Sequence, residues 1–251
     1  MTDTHQPWRD WTGSALVVGC GSIGQALLGE LARCAPGLRI HGASRRPGRW
    51  SSPDGPSIPF QFVDLNEPST LLQLREALVE QPPLRVVFNT VGVLQNETFQ
   101  PEKRLSQVTQ ANLAASFSVN AFGAILLAQA LEPLWPRDEP FHFASLSARV
   151  GSIGDNQLGG WYSYRAAKAA QNQLLRTLAI EWKRRFPLSC VSLFHPGTTD
   201  SALSKPFQAN VSPDKLFPPE RAAHQLLAVL DALGPEHSGQ FWAWDGQSIP
   251  W

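Results

Sequence analysis

The chain carries little charge and none in excess. Among its 251 residues, Lys and Arg number 21, Asp and Glu also number 21, and charged residues make up 17%. Because nucleic acids are bound chiefly through clustered positive charge, this balance argues against a nucleic-acid partner. The three cysteines, Cys20, Cys34 and Cys190, lack the spacing of a metal site or a disulfide framework. Their pattern predicts no bound metal and a reducing, cytoplasmic compartment.

Long apolar segments are also missing. No uninterrupted apolar run approaches the roughly 18 residues that a membrane span needs. The first ten residues are polar and lack the apolar core of a signal peptide. We therefore expect a cytoplasmic protein without a membrane span. With no internal repeat and no clear linker, residues 1–251 are predicted to form a single domain.

Short apolar strands alternate with helical segments along the chain. Strands are predicted at 15–19, 38–44, 58–63, 84–88, 141–146, 188–194 and 239–243. Helices are predicted at 23–34, 68–80, 111–131, 162–186 and 220–233. This alternation predicts right-handed crossovers and an α/β fold with a doubly wound parallel sheet of about seven strands, covered by helices on both faces.

A glycine motif joins the first strand to the first helix. Gly19, Gly21 and Gly24 form a G-x-G-x-x-G run, with Ser22 and Ile23 between the last two glycines. Glycines at this position permit a tight turn and let a pyrophosphate approach the helix N-terminus. The context of strand, glycine loop and helix predicts a Rossmann-type site for a dinucleotide.

The end of the second strand bears on which dinucleotide binds. An acidic residue there would hold a ribose 2′-hydroxyl, whereas arginine accommodates a 2′-phosphate. The sequence has Ser44, Arg45 and Arg46 at this point and no carboxylate. We therefore expect NADP(H) to be preferred over NAD(H), with a solvated basic loop as the alternative interpretation.

Polar and small residues also follow the third and fourth strands. The ends of parallel strands form the ligand edge of such a sheet, so these residues are candidates for cofactor binding. Asp64 is a candidate for an adenine contact or for a helix cap, and Asn89 for a cofactor contact or a turn. The candidate set is Asp64, Leu65, Asn89, Thr90, Val91 and Gly92.

Tyr164 and Lys168 lie four residues apart at the start of a predicted helix. This spacing is about one helical turn, so both side chains share a face. An ammonium beside a phenol favours the phenolate, which predicts a lowered pKa for Tyr164 and a role in proton transfer. Asn120 lies in the middle of another predicted helix, where its amide needs partners. It indicates a role in holding water or in kinking the helix, or simple exposure.

Together these motifs resemble the short-chain dehydrogenase/reductase family. The stretches 147–153 and 159–168 are most similar to its C-factor and sniffer-type carbonyl reductase branch. The resemblance implies that Tyr164 is the general acid or base, that Lys168 holds the nicotinamide ribose, and that Asn120 binds a water that relays protons to Lys168. It also implies a serine that bonds the substrate oxygen, and a frame for the nicotinamide made by Pro196, Gly197 and Thr198.

Two features depart from the family pattern. Fewer residues separate Gly19 from Gly21 than separate the first two glycines in the commonest pattern of the family. The position of the usual catalytic serine holds Ala148, with Ser147 beside it and Ser145 and Ser152 nearby. Adjacent strand residues point to opposite faces, so Ser147 replaces the missing hydroxyl only if the strand bulges or ends there. We expect Ser147 to serve, and Ser152 or a site without serine remain alternatives.

The resemblance implies an NADP(H)-dependent carbonyl reductase or alcohol dehydrogenase, with a small carbonyl or alcohol as substrate. Two other functions stay open: an NADP(H)-binding signalling or regulatory protein with little turnover, and a dehydratase or epimerase. Weak periodicity at 200–219 predicts a substrate lid within the domain. As in the family, the two long helices, 111–131 and 162–186, are expected to pair subunits into a homodimer or homotetramer.

Overall fold

The computed structural model describes residues 8–51, 57–97 and 99–251. In these residues an eight-stranded sheet has the order β10-β7-β6-β5-β1-β2-β4-β3, and every pairing is parallel except that of β3 with β4. Its strands are β1 (Gly13–Val18), β2 (Leu38–Ser44), β3 (Arg49–Ser51), β4 (Ser57–Phe62), β5 (Leu84–Asn89), β6 (Phe141–Leu146), β7 (Ser189–His195) and β10 (Gln240–Ala243). Two short strands, β8 (Thr198–Thr199) and β9 (Leu216–Phe217), pair separately.

Helices cover both faces of the sheet. They are α1 (Ser22–Cys34), α2 (Pro68–Val79), α3 (Gln110–Phe117), α4 (Gly123–Leu131), α5 (Tyr162–Arg185) and α6 (Pro219–Asp231). A π-helical segment, Ser118–Phe122, joins α3 to α4 without a break. The doubly wound α/β prediction is confirmed. The sheet has one strand more than expected, because β3 lies in a stretch that was predicted to be a loop.

Alternate side chains of each central strand pack on opposite faces. In β1, Leu16 and Val18 join the core under α2, α4 and α5, whereas Ala15 and Val17 join the core under α1 and α6. All four are fully buried. Because a strand with this two-sided burial has apolar residues at every position, the predicted strands coincide closely with the observed ones.

The strand order sets the place of the site. The chain moves outward from β1 through β2 and β4, then returns to β5 on the other side of β1. Connections leave β1 and β5 toward opposite faces, which opens a crevice at their carboxyl ends. In open α/β sheets this switch point is where ligands bind.

One helical stretch bears on the expectation of no membrane span. Gln110–Leu134 is, within the described residues, long and apolar enough to cross a membrane by length and composition. Its inward side chains, among them Ala124, Leu127 and Leu131, are buried in the core beside the sheet. Core packing therefore accounts for its apolar inner face.

Candidate active site

A cleft of about 940 Å³ lies at the carboxyl edge of the sheet, above β1 and β5. Loops that follow six of the parallel strands contribute its walls. It brings together nearly all of the predicted site residues, from both the dinucleotide and the catalytic sets. These are Gly19, Gly21, Ser22, Ile23, Gly24, Ser44, Arg45, Arg46, Asp64, Leu65, Thr90, Val91, Gly92, Ser147, Tyr164, Lys168, Pro196, Gly197 and Thr198.

The glycine loop has two kinds of glycine. Gly19 adopts a left-handed φ of +92°, and a Cβ on Gly24 would lie 2.2 Å from the Gly19 carbonyl oxygen. Both positions therefore need glycine for the turn itself. A Cβ on Gly21 would meet nothing within 4 Å. Gly21 thus keeps open space in front of the N-terminus of α1, as a bound pyrophosphate requires.

The thiol of Cys20 is turned away from this space. Its Sγ lies 3.4 Å from the Ala43 carbonyl oxygen, and burial raises the pKa of the thiol to about 12. A thiol that stays protonated at neutral pH is a poor nucleophile. Cys20 is therefore a small residue that fills the turn. Within the described residues, no group of three or more His, Cys, Asp or Glu is arranged to hold a metal ion.

The end of β2 forms the far wall of the cleft. The Ser44 hydroxyl accepts a hydrogen bond from the Arg46 backbone N–H at 3.2 Å. Arg45 lies 3.8 Å from Asp64, and its side chain is 61% exposed. Asp64 also accepts from the Asn66 N–H at 3.0 Å, so it caps the turn that precedes α2. The guanidinium of Arg45 is thus held loosely and remains available to a ligand.

Asn89 does not line the cleft. Its amide nitrogen donates to Ser145 Oγ at 3.0 Å, and its amide oxygen accepts from the Val91 N–H at 3.1 Å. The side chain is 2% exposed. The predicted cofactor contact is therefore corrected to the alternative of a turn residue. Both amide groups of Asn89 are already bonded to the protein. One of these bonds, to the Val91 N–H, holds the loop that follows β5.

Tyr164 and Lys168 lie side by side on the wall formed by the first turn of α5. Lys168 Nζ is 5.9 Å from the centre of the Tyr164 ring. Burial raises the pKa of Tyr164 and lowers that of Lys168 to about 7. The expected lowering of the Tyr164 pKa is therefore wrong for the protein alone. Desolvation is the cause of both shifts, because burial disfavours the charged phenolate and the charged ammonium alike.

A buried polar chain fixes the lysine. Lys168 Nζ donates to the Leu146 carbonyl and to Gln171 Oε1, both at 2.9 Å. Gln171 in turn donates to Ser145 Oγ at 2.8 Å. The ammonium is therefore held at the end of β6, and one of its protons remains for another partner.

Asn120 lies behind the cleft, in the π-helical segment. Its amide oxygen accepts from the Val93 N–H at 2.9 Å, and its amide nitrogen donates to the Val93 carbonyl at 2.7 Å and to Ser116 Oγ at 3.2 Å. The side chain is 1% exposed, so the alternative of an exposed position is excluded. A π-helical turn around Asn120 agrees with the predicted kink.

Gly92 separates Asn120 from Lys168. A Cβ on Gly92 would lie 3.4 Å from Asn120 Oδ1 and 3.6 Å from Lys168 Nζ. The two polar atoms therefore face the same small space, which a side chain would fill. This space is the place where a relay between them would run.

The serine hydroxyls near Tyr164 are engaged elsewhere. Ser147 Oγ donates to Asn172 Oδ1 at 2.6 Å, and Ser145 Oγ accepts from Asn89 and Gln171. Ser152 Oγ accepts from the Asp155 N–H at 3.1 Å, and its side chain is outside the cleft wall. A hydroxyl has one proton to donate, so Ser147 has none left for a substrate oxygen. Ser147 lines the cleft, but its hydroxyl is bonded to Asn172 on α5, and its role as the catalytic serine stays a prediction.

The entrance to α5 has an unusual backbone. Gly159, Gly160 and Trp161 have φ values of +63°, +65° and +51°, and Trp161 is the only non-glycine in the described residues with positive φ. Arg165 Nε donates to the Gly160 carbonyl at 2.9 Å. This turn places the Trp161 ring on the cleft wall, 5.3 Å from the ring of Phe207 in the predicted lid. Trp161 and Phe207 thus form an apolar end of the cleft.

Sequence reasoning missed several residues near the site. Arg149 and Asp155 form an ion pair at 3.1 Å on the cleft wall. Glu102 is 2% exposed, and its carboxylate accepts hydrogen bonds from both the hydroxyl and the backbone N–H of Ser163. No local pattern signals Glu102, because its partner lies 61 residues away in the sequence.

Comparisons with known proteins agree with this geometry. The sequence profile of the short chain dehydrogenase family matches residues 14–212. C-signal of Myxococcus xanthus is 32% identical over 148 residues, which cover 59% of this chain and 83% of that protein. The 1-hydroxy-2-glutathionyl-2-methyl-3-butene dehydrogenase of Rhodococcus sp. strain AD45 is 30% identical over 192 residues, or 75% of this chain and 78% of that protein.

Solved structures share the fold at low sequence identity. The carbonyl reductase Sniffer of D. melanogaster has a TM-score of 0.78 and 22% identity, and covers 96% of this chain and 100% of its own. An NADPH-bound carbonyl reductase from chicken fatty liver has a TM-score of 0.80 and 20% identity. The match covers 96% of this chain and 99% of that one. The chain therefore belongs to the short-chain dehydrogenase/reductase family of oxidoreductases.

Proposed function

We propose that this protein is an NADP(H)-dependent carbonyl reductase or alcohol dehydrogenase with Tyr164 as its general acid or base. The observation that carries the proposal is the pairing of Tyr164 and Lys168 on the wall of the same cleft that the glycine loop enters. Tyr164 is 6% exposed, so a proton on its phenol is shielded from bulk water yet faces the cleft.

The chain's residues fit a nicotinamide dinucleotide. Gly21 leaves room before the N-terminus of α1 for a pyrophosphate, and Gly92 leaves room for a ribose beside Lys168. Asp64 and Leu65 would flank the adenine, and Thr90 and Val91 the adjoining ribose. Ser44, Arg45 and Arg46 would hold a 2′-phosphate, and Pro196, Gly197 and Thr198 would frame the nicotinamide.

In the reductive direction, Tyr164 would donate its proton to the substrate oxygen as negative charge develops there. A bound NADPH would supply the hydride. Lys168 would hold the nicotinamide ribose and stabilise the phenolate left on Tyr164. Asn120 would orient a water in the space over Gly92 and so return a proton to Lys168. Oxidation of an alcohol would use the same groups in reverse.

Replacement of Tyr164 by phenylalanine tests the proposal. We expect wild-type protein to oxidise NADPH with at least one member of a panel of aldehydes, ketones and quinones. Tyr164→Phe should lose about 10²–10⁴-fold in kcat, because it lacks the proton donor, and keep its affinity for NADPH. Tyr162→Phe is the matched control, since Tyr162 lies outside the cleft wall and is 41% exposed. Equal turnover in the two variants would refute the assignment.

The preference for NADP(H) rests on the basic end of the cleft. Arg45→Asp should weaken binding of NADPH by about 10-fold or more and leave binding of NADH nearly unchanged, since a bidentate phosphate contact is replaced by repulsion. Arg39→Asp, at the other end of β2, is the control for charge alone. Calorimetric titration with both coenzymes measures this. Equal losses for the two would remove the 2′-phosphate interpretation.

A regulatory role is a second candidate function, favoured by the serine geometry. Of the three described serines nearest the usual catalytic position, Ser147 donates its hydroxyl proton to Asn172, and Ser145 and Ser152 lie outside the cleft wall. A protein of this kind would bind NADP(H) and act mainly through a partner. Tight NADPH binding without turnover on any panel member would support it over the enzyme. Substrate conversion with no net change in NADPH absorbance would instead indicate a dehydratase or epimerase.

Residues 200–219 would form a substrate lid. They include two 3-10 turns and β9, and Phe207 contacts Trp161 across the apolar end of the cleft. We expect amide exchange in this segment to slow when coenzyme and substrate are both bound. Unchanged exchange would argue against a lid.

The protein would work in the cytoplasm as a homodimer or homotetramer that pairs through its long helices. Phe122 and Ile180 support this arrangement, since they are 48% and 52% exposed on the π-helical segment and α5. Burial of these apolar side chains against a second copy would stabilise the assembly.

A further inference from the structure

We propose that Glu102 is a positioning residue for the catalytic helix, and that it sets the place of Tyr164 by capping α5 from a distant loop. This inference rests on the proposed function of Tyr164. Glu102 lies outside the cleft wall and touches none of the reacting groups. Its effect would therefore pass through the backbone of α5.

The first turn of α5 needs such a cap. The residue at its N-cap position is Trp161, whose side chain provides no oxygen to accept from the helix N–H groups. Backbone N–H groups of a first helical turn that are buried without partners are costly. In α5 the buried Ser163 N–H finds its acceptor in the carboxylate of Glu102 at 3.2 Å.

Glu102 makes three contacts with this turn. One carboxylate oxygen accepts from the Ser163 N–H, the other accepts from the Ser163 hydroxyl, and the Glu102 backbone carbonyl accepts from the Trp161 N–H at 2.5 Å. A negative charge at a helix N-terminus is also favoured by the helix dipole. The contacts hold Trp161 and Ser163, and Ser163 immediately precedes Tyr164.

The contacts also offset a strained backbone. Three successive residues before the helix have positive φ, and for Trp161 this conformation costs about 1 kcal/mol or more. The Trp161 N–H bonds the backbone carbonyl of Glu102, and the Glu102 carboxylate holds that backbone against α5 through Ser163. If the carboxylate were lost and the Glu102 backbone moved away, Trp161 would be free to relax toward an ordinary conformation. Its ring and the start of the helix would then shift on the cleft wall.

Glu102 belongs to a buried chain that reaches Asn120. The Ser163 carbonyl accepts from Ser116 Oγ at 3.2 Å, and Ser116 Oγ accepts from the Asn120 amide at 3.2 Å. Glu102 and Ser163 are each 2% exposed, and Ser116 and Asn120 are each 1% exposed. The chain therefore links the start of α5 to the π-helical segment, and so holds Tyr164 and Asn120 in a fixed relation.

The test compares Glu102→Ala and Glu102→Gln with Glu97→Ala, a change of an exposed glutamate in the same loop. We expect Glu102→Ala to lower kcat about 10²-fold with little change in KM, because a shift of about 1 Å in a catalytic group costs that much. NADPH affinity should change by less than about 3-fold (about 0.65 kcal/mol). The amide of Glu102→Gln still offers an oxygen to the Ser163 N–H, so this variant should recover most of kcat.

Hydrogen exchange supplies a readout that does not depend on turnover. Amides at the start of α5 should exchange faster in Glu102→Ala than in wild type, Glu102→Gln or Glu97→Ala. If Glu102→Ala does not fold, Ser163→Ala removes the hydroxyl contact and should show the same pattern to a smaller degree. Unchanged exchange, or faster exchange with wild-type kcat, would overturn the proposal. A wild-type protein without turnover refutes the proposed function, and the exchange comparison still decides whether Glu102 holds α5.

Discussion

At the scale of single residues, the main departure of this site from its family lies at Ala148. The backbone of Ala148 is extended, with φ −151° and ψ 147°, so its side chain and that of Ser147 point to opposite faces. Ser147 donates to Asn172 on α5, which leaves the Ala148 methyl on the side that faces the cleft. The substrate oxygen would therefore meet Tyr164 without a hydroxyl from the usual position of the catalytic serine.

Ala148→Ser should restore that donor. We expect kcat for a carbonyl substrate to rise about 10-fold, somewhat less than the 10²–10³-fold effect of a donor in an evolved site, because the surrounding residues have not adapted to it. Ala166→Ser, on the exposed side of α5, is the control. Steady-state NADPH oxidation measures both. If Ala148→Ser has no higher kcat than wild type, the missing hydroxyl does not limit the rate of the reaction.

Ser147→Ala tests whether the Ser147 hydroxyl stabilises the fold through Asn172 or takes part in catalysis. Loss of the hydroxyl leaves Asn172 Oδ1 without that donor, so we expect about 1–3 kcal/mol less stability in urea unfolding and nearly unchanged kcat. A 10²-fold fall in kcat at unchanged stability would instead return Ser147 to the catalytic role that the sequence suggests.

At the scale of elements, the glycine loop contains one glycine that the fold needs, Gly24, and one that leaves room for a ligand, Gly21. Gly24→Ala would press a methyl into the Gly19 carbonyl, and it should destabilise the protein by about 1–3 kcal/mol. Gly21 has φ −78° and open space around it, so Gly21→Ala should fold normally. It should nevertheless lose about 10-fold or more in NADPH affinity, because the methyl occupies the approach of the pyrophosphate.

Thermal unfolding and calorimetric titration of the two variants check this pair. The structure predicts a stability loss confined to Gly24→Ala and an affinity loss with normal stability in Gly21→Ala. Full NADPH affinity in Gly21→Ala would mean that the dinucleotide does not pass this point of the loop.

The elements show how far sequence reasoning reaches. The central strands β1 and β5 were predictable because buried parallel strands are apolar on both faces, and the glycine loop because only glycine fits its turn. The short antiparallel strand β3 at the sheet edge was missed, because it is not buried in this way. The π-helical segment at Asn120 was foreseen only as a kink, since its geometry depends on Val93 from another loop. Glu102 and the orientation of Ser147 depend on partners distant in sequence, so no local pattern indicates them.

At the scale of the whole molecule, the outer face of the long helices should pair subunits. Phe122→Glu or Ile180→Glu would place a charge in that interface and should convert an oligomer to a monomer. Val79→Glu, on α2 and 59% exposed, is the control and should leave the assembly intact. Sedimentation velocity gives the answer. A wild-type monomer, or a variant that keeps the assembly, would contradict pairing through these helices.

The most direct test of the central claim follows the hydride and the proton together. NADPH deuterated at the transferring position of C4 is incubated with a carbonyl substrate and with wild-type or Tyr164→Phe protein, and the alcohol is analysed by mass spectrometry. We predict deuterium in the alcohol formed by the wild type, and almost none with Tyr164→Phe even though NADPH binds to it normally. Labelled alcohol at equal rates from both proteins, or no coenzyme binding by the wild type, would contradict the account.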